Sequence, residues 1–356
     1  MISNIQWLRW WAAALVAIYH LRALAPASTA QWLAPLDAIG FGGVDVFFVI
    51  SGYIMWRTTQ DIGAGGAAAW QFVRRRFTRI YSGYWPFAII ALIAVFSLDV
   101  PRANDIRIFD SFTLWPHGLH ERVIEVSWTL TYELYFYCMF ALLLLAGVGL
   151  RRRLVIGLIA VLLALNLVGH YAFGLYVGDN LYKLPRLLNM VISPYVLEFL
   201  AGCAFAMTRV PARPLIAGGV ALALGVAGLV FAGQVNLAAF DGKIAQGFFV
   251  VERVAVFGFA SLLLLAGGVW LERAGVAPWP RAALLLGGAS YALYLAHYVV
   301  LQLVVWSAYA RWQALVESGV AWFWLLLLAV AAYSVAHYRF VERPLYRAGR
   351  RLVGVR

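Results

Sequence analysis

Long apolar stretches, separated by short polar segments, run along almost the whole chain. Segments such as 219–233 and 321–336 have neither the charges nor the regularly spaced polar positions of a half-exposed helix. Ten stretches are each long enough to cross about 30 Å of hydrocarbon as a helix. The predicted spans are residues 5–24, 40–57, 79–98, 127–149, 154–172, 190–208, 215–233, 248–270, 283–306 and 320–338.

Composition supports this pattern. Hydrophobic residues make up 64% of the chain and charged residues only 12%, against about 45–50% and 25% in ordinary globular domains. Arg9 lies inside the first apolar stretch and not before it, so this stretch does not resemble a cleaved signal peptide. The sequence predicts an all-α membrane protein, a polytopic bundle of about ten transmembrane helices. A single membrane domain over residues 1–356, with no soluble extension, is expected.

The net charge of +12 is explained by the expected membrane topology. Most of the 28 Lys and Arg residues fall in the loops that are cytoplasmic if the N-terminus is inside, as the positive-inside rule requires. An even number of spans then places both termini in the cytoplasm. The charge therefore calls for no nucleic-acid partner. Cys138 and Cys203 both fall in predicted spans and indicate no disulfide framework.

Seven ionisable residues within the predicted spans are the candidates for polar groups inside the membrane. Such groups cost about 2.5–3.5 kcal/mol each at the centre of a bilayer, so several of them are expected to converge on one cavity. They are Arg9, His20, Asp45, Glu133, Glu198, His297 and His337.

Arg9 and His20 share one face of the first helix, because eleven residues make roughly three turns and about 16 Å of rise. A neutral histidine can take a proton from a hydroxyl near pH 7 and return it. The competing interpretation of His20 is an interhelical hydrogen bond that only holds the bundle together.

Two carboxylates have similar alternatives. Asp45 lies in GGVDVFFVISGY (42–53), where it is expected to orient a histidine or hold Arg9, unless it merely caps a helix that starts at the two glycines. Glu133 lies in SWTLTYELYFY (127–137) and shares a helix face with Tyr137. Glu133 is either directly involved in chemistry or a structural carboxylate.

Three further motifs lie near the span ends. RRRFTR (74–79) is either an ordinary membrane anchor or a clamp for phosphate. HGLH (117–120) spaces two histidines as a weak metal pair, but no carboxylate or cysteine pattern accompanies it, and no metal site is predicted. Pro344, in FVERPLYR (340–347), is expected to end the last helix.

Together these residues resemble the acyltransferase-3 family of integral membrane acyltransferases, particularly bacterial exopolysaccharide O-acetyltransferases. The resemblance covers nearly the whole chain. It rests on the Arg9-x10-His20 pair, on GGVDVFFVISGY and on SWTLTYELYFY, with SYALYLAH (290–297) and the VERP segment as weaker matches.

The resemblance implies transfer of an acetyl or other short acyl group from cytoplasmic acetyl-CoA to a hydroxyl of a glycan at the outer face of the bacterial cytoplasmic membrane. His20 would be the general base, and Asp45 or Glu133 would orient it. Arg9 would steady donor charge or pair with a carboxylate. The remaining expected contacts are Arg74, Arg75 and Arg76 for CoA, and Ser51, Trp128, Tyr132 and Tyr137 for the acceptor.

Several questions stay open at this stage. The acyl group could pass directly or through an acyl-histidine intermediate. Partners implied by the resemblance are a lipid-linked or exported glycan, the bilayer and polysaccharide-assembly proteins. A proton-coupled transporter or flippase for a glycan would also have buried charges, although no repeat of the kind common in transporters is visible. A non-enzymatic scaffold would leave four polar residues unexplained, namely Arg9, His20, Asp45 and Glu133.

Overall fold

The computed structural model describes residues 2–98, 100–176 and 184–354, with the side chains of residues 101 and 102 excepted. The described residues form helices joined by turns and loops, with no β-strand among them. The α-helices are α1 (Ser3–Leu21), α2 (Ala27–Asp37), α3 (Gly43–Thr59), α4 (Gly66–Ser97), α5 (Ile108–Thr113), α6 (Trp128–Leu143), α7 (Val148–Phe173), α8 (Arg186–Val191), α9 (Tyr195–Ala206), α10 (Pro214–Phe240), α11 (Val250–Arg253), α12 (Phe259–Arg273), α13 (Pro280–Ser307), α14 (Tyr309–Ser318), α15 (Ala321–His337) and α16 (Arg343–Leu352).

The all-α, multi-pass architecture expected from the sequence is confirmed. Among the described residues, seven helical segments are long and apolar enough to cross a membrane, or eight if the bent pair α2–α3 counts as one span. The predicted count of ten spans and the cytoplasmic position of both termini stay predictions.

Each of the ten predicted spans coincides with a helix or a pair of consecutive helices, but two of these helices are unlike ordinary spans. The α6 helix has 16 residues, fewer than the roughly 20 that cross a bilayer. The α1 helix begins with the buried polar residues Ser3, Asn4 and Gln6. Both helices contact neighbouring helices along much of their length, so they depend less on apolar side chains facing lipid.

Glycines allow α3 and α9 to pack backbone against backbone. A Cβ atom on Gly52 would lie 1.8 Å from the carbonyl oxygen of Phe199, and one on Gly202 would lie 2.0 Å from that of Val49. Small residues at such crossings replace the hydrophobic driving force that helices in lipid lack. Close packing of α3 on α9 carries Asp45 and Glu198 into the interior of the bundle.

The last helical segment does not end at Pro344. A π-helical turn at Tyr338–Glu342 joins α15 to α16, and Pro344 lies in the first turn of α16. The sequence prediction was therefore wrong, and α16 packs against α4.

Candidate active site

A cavity of about 880 Å³ opens at the inner end of the bundle, defined here as the end that carries Ile2 and α16. Only one carboxylate, that of Glu133, lines the cavity in the described part of the chain. The arginines that line it are Arg9, Arg57, Arg75, Arg76, Arg79, Arg273, Arg343, Arg347 and Arg350. A concave surface with this excess of positive charge suits a polyanionic ligand.

The sequence identified only part of this arginine set. Arg75 and Arg76 line the cavity, as a phosphate clamp would require. The Arg74 guanidinium lies instead 6.0 Å from the centre of the Trp70 ring and is not among the lining groups. Successive residues of a helix point about 100° apart, so three consecutive arginines could not all face one cavity. Whether any of the three binds a ligand stays a prediction.

The C-terminal helix α16 supplies Arg343, Arg347 and Arg350, which the sequence analysis did not assign to the site. Their i, i+4, i+7 spacing places them along one side of the helix. The Arg350 Nε atom is buried and has no hydrogen-bond partner in the described structure. An anion in the cavity would satisfy this donor, and the spacing itself was visible in the sequence.

An ion pair holds the start of this arginine face in place. The carboxylate of Glu342, which is fully buried, pairs with Arg79 of α4. The Arg79 guanidinium also lies over the rings of Tyr291 and Tyr346, at 5.7 and 5.9 Å. These contacts connect α4, α13 and α16 around the inner mouth.

Deeper in the cavity, the Tyr137 hydroxyl donates a hydrogen bond to Glu133, as the i, i+4 spacing suggested. Arg9 lines the same space, where its Nη1 atom lies 3.4 Å from Oε1 of Gln6, and the charge of Glu133 acts on it. Ser51 also lines the cavity. Glu133, Tyr137 and Ser51 thus belong to the inner cavity.

Tyr294 and Thr129 lie together in the wall of the cavity and are called the Tyr294 layer. Both residues line it, and the Thr129 hydroxyl lies 3.0 Å from the Tyr294 hydroxyl, which in turn donates to the carbonyl of Val126 at 3.0 Å. His297 does not line the cavity, and its ring centre lies 5.8 Å from that of Tyr294. The Tyr294 ring is therefore a neighbour of both the arginine-lined cavity and His297.

His20 does not line the cavity; it forms a pair with His297 on the other side of the Tyr294 layer. Nδ1 of His20 lies 3.2 Å from Nε2 of His297, and the two ring centres are 5.1 Å apart. The sequence placed both histidines in spans but offered no signal that α1 and α13 bring them together.

The backbone partners of these two rings select one tautomer for each. Nδ1 of His297 lies 3.0 Å from the carbonyl oxygen of Leu293, which can only accept, so this nitrogen carries the hydrogen. Nε2 of His297 is then the acceptor for Nδ1–H of His20, which also faces the carbonyl of Val16 at 2.9 Å. The arrangement leaves the lone pair of His20 on Nε2.

The two carboxylates expected to orient His20 are engaged elsewhere. Both oxygens of Asp45 contact Arg253, whose Nε lies 3.0 and 3.2 Å from them and whose Nη2 lies 2.8 Å from Oδ2. Glu133 pairs with Tyr137 in the cavity. Asp45 pairs with neither Arg9 nor His20, because α11 brings the buried Arg253 against α3.

The Asp45–Arg253 pair is enclosed on all sides. Asp45 is 0% and Arg253 is 3% exposed. The rings of Phe41 and Tyr195 cover the guanidinium at 4.9 and 5.2 Å, and the Glu198 carboxylate lies beside the pair. This arrangement connects α3, α9 and α11.

Trp128 and Tyr132 lie in an aromatic cluster with Phe48 and Tyr195, at the outer start of α6. Their ring centres are 5.8 Å apart, and both side chains are half-buried. Of the four residues expected to contact the acceptor, these two lie outside the inner cavity, and Ser51 and Tyr137 lie in it.

The outer loop before α6 is held by its own polar contacts. His117 faces Ser111 and the carbonyl of Trp115, and His120 faces Glu125. Hydrogen bonds from Arg186 lower the pKa of the Glu121 carboxyl to about 2. No cluster of three or more potential metal ligands occurs among the residues that the structure describes.

Comparisons with known proteins agree with this architecture. A family profile described as an acyltransferase domain, acyltransferase-3, matches residues 2–339. The exopolysaccharide production protein ExoZ of Rhizobium meliloti is 30% identical over 88% of this chain and 91% of its own length. O-acetyltransferase OatA of Staphylococcus aureus is 24% identical over 98% of this chain, which spans 58% of OatA. Acyltransferase MdmB of Streptomyces mycarofaciens is 25% identical over 98% of this chain and 93% of its own length.

No solved structure matches the chain. The family and its relatives support an enzyme that transfers acyl groups, and they give no support to the transporter or the scaffold considered from the sequence.

Proposed function

The chain belongs to the acyltransferase-3 family of membrane acyltransferases, and from that premise we propose that it acylates a glycan hydroxyl. The donor is acyl-CoA, entering from the cytoplasm, and the acyl group is acetyl or another short chain. The acceptor is an exported or lipid-linked glycan at the outer face of the bacterial cytoplasmic membrane. Assembly proteins of that glycan are the expected partners.

The arginine-lined cavity is the observation that carries this proposal. CoA has phosphate groups at its nucleotide end and an uncharged thioester at the other. The cavity offers both kinds of lining, arginines such as Arg347 and Arg350 and uncharged residues such as Tyr294 and Thr129. Arginine forks suit phosphate oxygens, and the buried, unpartnered Nε of Arg350 fits a site made for an anion.

His20 is the proposed general base on the far side of the Tyr294 layer. Its Nε2 lone pair takes the proton of the acceptor hydroxyl as the hydroxyl oxygen attacks the acyl carbonyl carbon. The C–S bond breaks, the departing thiolate takes a proton from water at the inner side, and the proton on His20 passes to water at the outer side. In the covalent alternative, His20 Nε2 attacks the acyl carbonyl carbon as the C–S bond breaks; the acyl group then passes to the hydroxyl, whose proton is left on Nε2.

The positions of the donor cavity and of His20 fit a reaction between two compartments. The donor is charged and stays at the inner mouth, whereas the acceptor is a polar sugar at the outer end. Only the small acyl group has to pass the Tyr294 and Thr129 layer. The name of ExoZ, an exopolysaccharide production protein, supports a polysaccharide as the acceptor, and that of OatA, an O-acetyltransferase, supports transfer of acetyl to a hydroxyl. Aromatic rings such as those of Trp128 and Tyr132 are suited to packing on sugar rings.

The experiment that tests the proposal measures CoA release from acetyl-CoA by purified protein in nanodiscs, with a panel of p-nitrophenyl hexosides as acceptors. Mass spectrometry of the hexosides detects the ester. Wild-type protein is expected to form acetyl esters, and His20→Ala to form none while retaining its thermal unfolding temperature and its affinity for acetyl-CoA. Wild-type protein that neither binds acetyl-CoA nor esterifies any hexoside would overturn the proposal.

A further inference from the structure

A second ring of α13, that of Tyr298, also contacts His20. The ring of Tyr298, the residue after His297 on α13, packs edge-on against the His20 ring, with centres 5.4 Å apart and planes at 86°. His297 lies against the Nδ1 side of His20, so the two neighbouring residues of α13 both restrict this ring. An imidazole held on two sides has one orientation for its remaining nitrogen.

The Tyr298 ring is in turn held by a carboxylate. Its hydroxyl lies 2.6 Å from Oε2 of Glu125, the length typical of an O–H···O⁻ bond, which is stronger than a neutral hydrogen bond. Glu125 begins the short helical turn Glu125–Ser127 that precedes α6. Its side chain is 21% exposed, and Oε1 faces His120 at 3.5 Å. Glu125 is thus fixed in position but within reach of the outer side.

The chemistry proposed for His20 needs a negative charge in this region. When His20 takes a proton, an imidazolium forms beside the neutral His297, and a nearby carboxylate stabilises it. Asp45 is neutralised by Arg253, Glu133 lies in the inner cavity with Tyr137, and Asp37 pairs with Arg22 near the end of α1. The Glu125 carboxylate instead accepts a hydrogen bond from the hydroxyl of the ring that contacts His20.

We propose that Glu125 is a positioning residue of the outer site: through its hydrogen bond to Tyr298 it holds the His20 ring in the orientation that points Nε2 at the acceptor hydroxyl. This inference rests on the proposed function. It assigns to Glu125 the role that the sequence offered to Asp45 or Glu133, and it adds the first residue of the turn Glu125–Ser127 to the outer site.

The test compares Glu125→Ala, Tyr298→Phe and the double variant in the acetyl-CoA and p-nitrophenyl hexoside assay. Each single variant is expected to lower kcat by about 10- to 100-fold, less than the roughly 10²- to 10⁴-fold that a general base itself contributes, because His20 is still present. The KM for acetyl-CoA is expected to stay at the wild-type value, because the donor cavity is untouched. The kcat of the double variant should equal that of the slower single variant, since both substitutions remove the same contact.

Glu121→Ala is the matched control, because Glu121 lies four residues earlier in the chain and pairs with Arg186 instead. It is expected to keep the wild-type kcat. Wild-type kcat in Glu125→Ala, or single-variant effects that multiply in the double variant, would overturn the inference while leaving the proposed function intact. A wild-type protein that acylates no hexoside would instead count against the proposed function on which the inference rests.

Discussion

Nδ1 of His20 lies 3.2 Å from Nε2 of His297, although 277 residues separate them in the chain. The carbonyl oxygens of Val16 and Leu293 complete the pair and assign one hydrogen to each Nδ1 atom. The proposed base is therefore held in a defined tautomer by a neighbouring histidine, where a carboxylate was expected.

The tautomer can be tested at His297. His297→Phe removes the acceptor for Nδ1–H of His20, whereas His297→Gln keeps a side-chain oxygen that can accept. We expect kcat to fall by about 10- to 100-fold in the phenylalanine variant, since a misdirected base loses much of its effect. The glutamine variant should retain more activity, and both should keep the wild-type KM for acetyl-CoA. Equal activity in the two variants would contradict a role for the acceptor atom.

The arginines of α16 are predicted to distinguish a donor with phosphate groups from one without them. Arg347→Ala with Arg350→Ala should raise the KM for acetyl-CoA by at least about tenfold, since hydrogen bonds to charged groups contribute about 1.5–3 kcal/mol each. The KM for acetyl-pantetheine, which has no phosphate, should not change.

Arg351→Ala is the control for α16, because Arg351 is exposed on the same helix and does not line the cavity. It is expected to behave as wild type with both donors. If the double variant loses activity equally with acetyl-CoA and with acetyl-pantetheine, the two arginines contribute to folding or to binding of the thioester end and not to phosphate recognition.

The buried Asp45–Arg253 pair predicts a large loss of stability when one partner is removed. Asp45→Asn removes the carboxylate that contacts the Arg253 guanidinium and leaves only the Glu198 carboxyl beside it, which should cost up to about 3–5 kcal/mol, measured as reduced resistance to denaturant in detergent. Replacing both residues, as Asp45→Leu with Arg253→Met, should recover much of that loss. An Asp45→Asn variant of normal stability but without activity would favour the catalytic role that the sequence suggested.

The ion pair between Glu121 and Arg186 predicts a pH dependence of thermal unfolding. The Arg186 hydrogen bonds lower the pKa of Glu121 from its ordinary value of 4.5 to about 2. A lowered carboxylate pKa in the folded state stabilises the fold above the unfolded pKa, and this contribution is lost as the pH falls towards the folded value. The Tm difference between wild type and Glu121→Gln should therefore be constant above about pH 6 and shrink below about pH 4. A difference that grows on acidification would contradict the assignment.

The hydrophobic pattern alone placed each of its ten predicted spans on helical structure, because the cost of exposing polar backbone or charge to lipid is a local property of each stretch. The spacing of Arg9 and His20, and that of Glu133 and Tyr137, likewise follow from one helix. The motifs also indicated the family that the comparisons show.

Every contact between helices became known only from the tertiary structure. The sequence could not pair His20 with His297, Asp45 with Arg253 or Tyr298 with Glu125, since packing angles and the depth of each helix decide which side chains meet. It also ended the last helix at Pro344, whereas the π-helical turn continues it and brings three more arginines to the cavity. Local chemistry determined where the helices are and which polar groups they carry. The packing of α1, α3, α11 and α13, which are far apart in the sequence, decided which of those groups lie together.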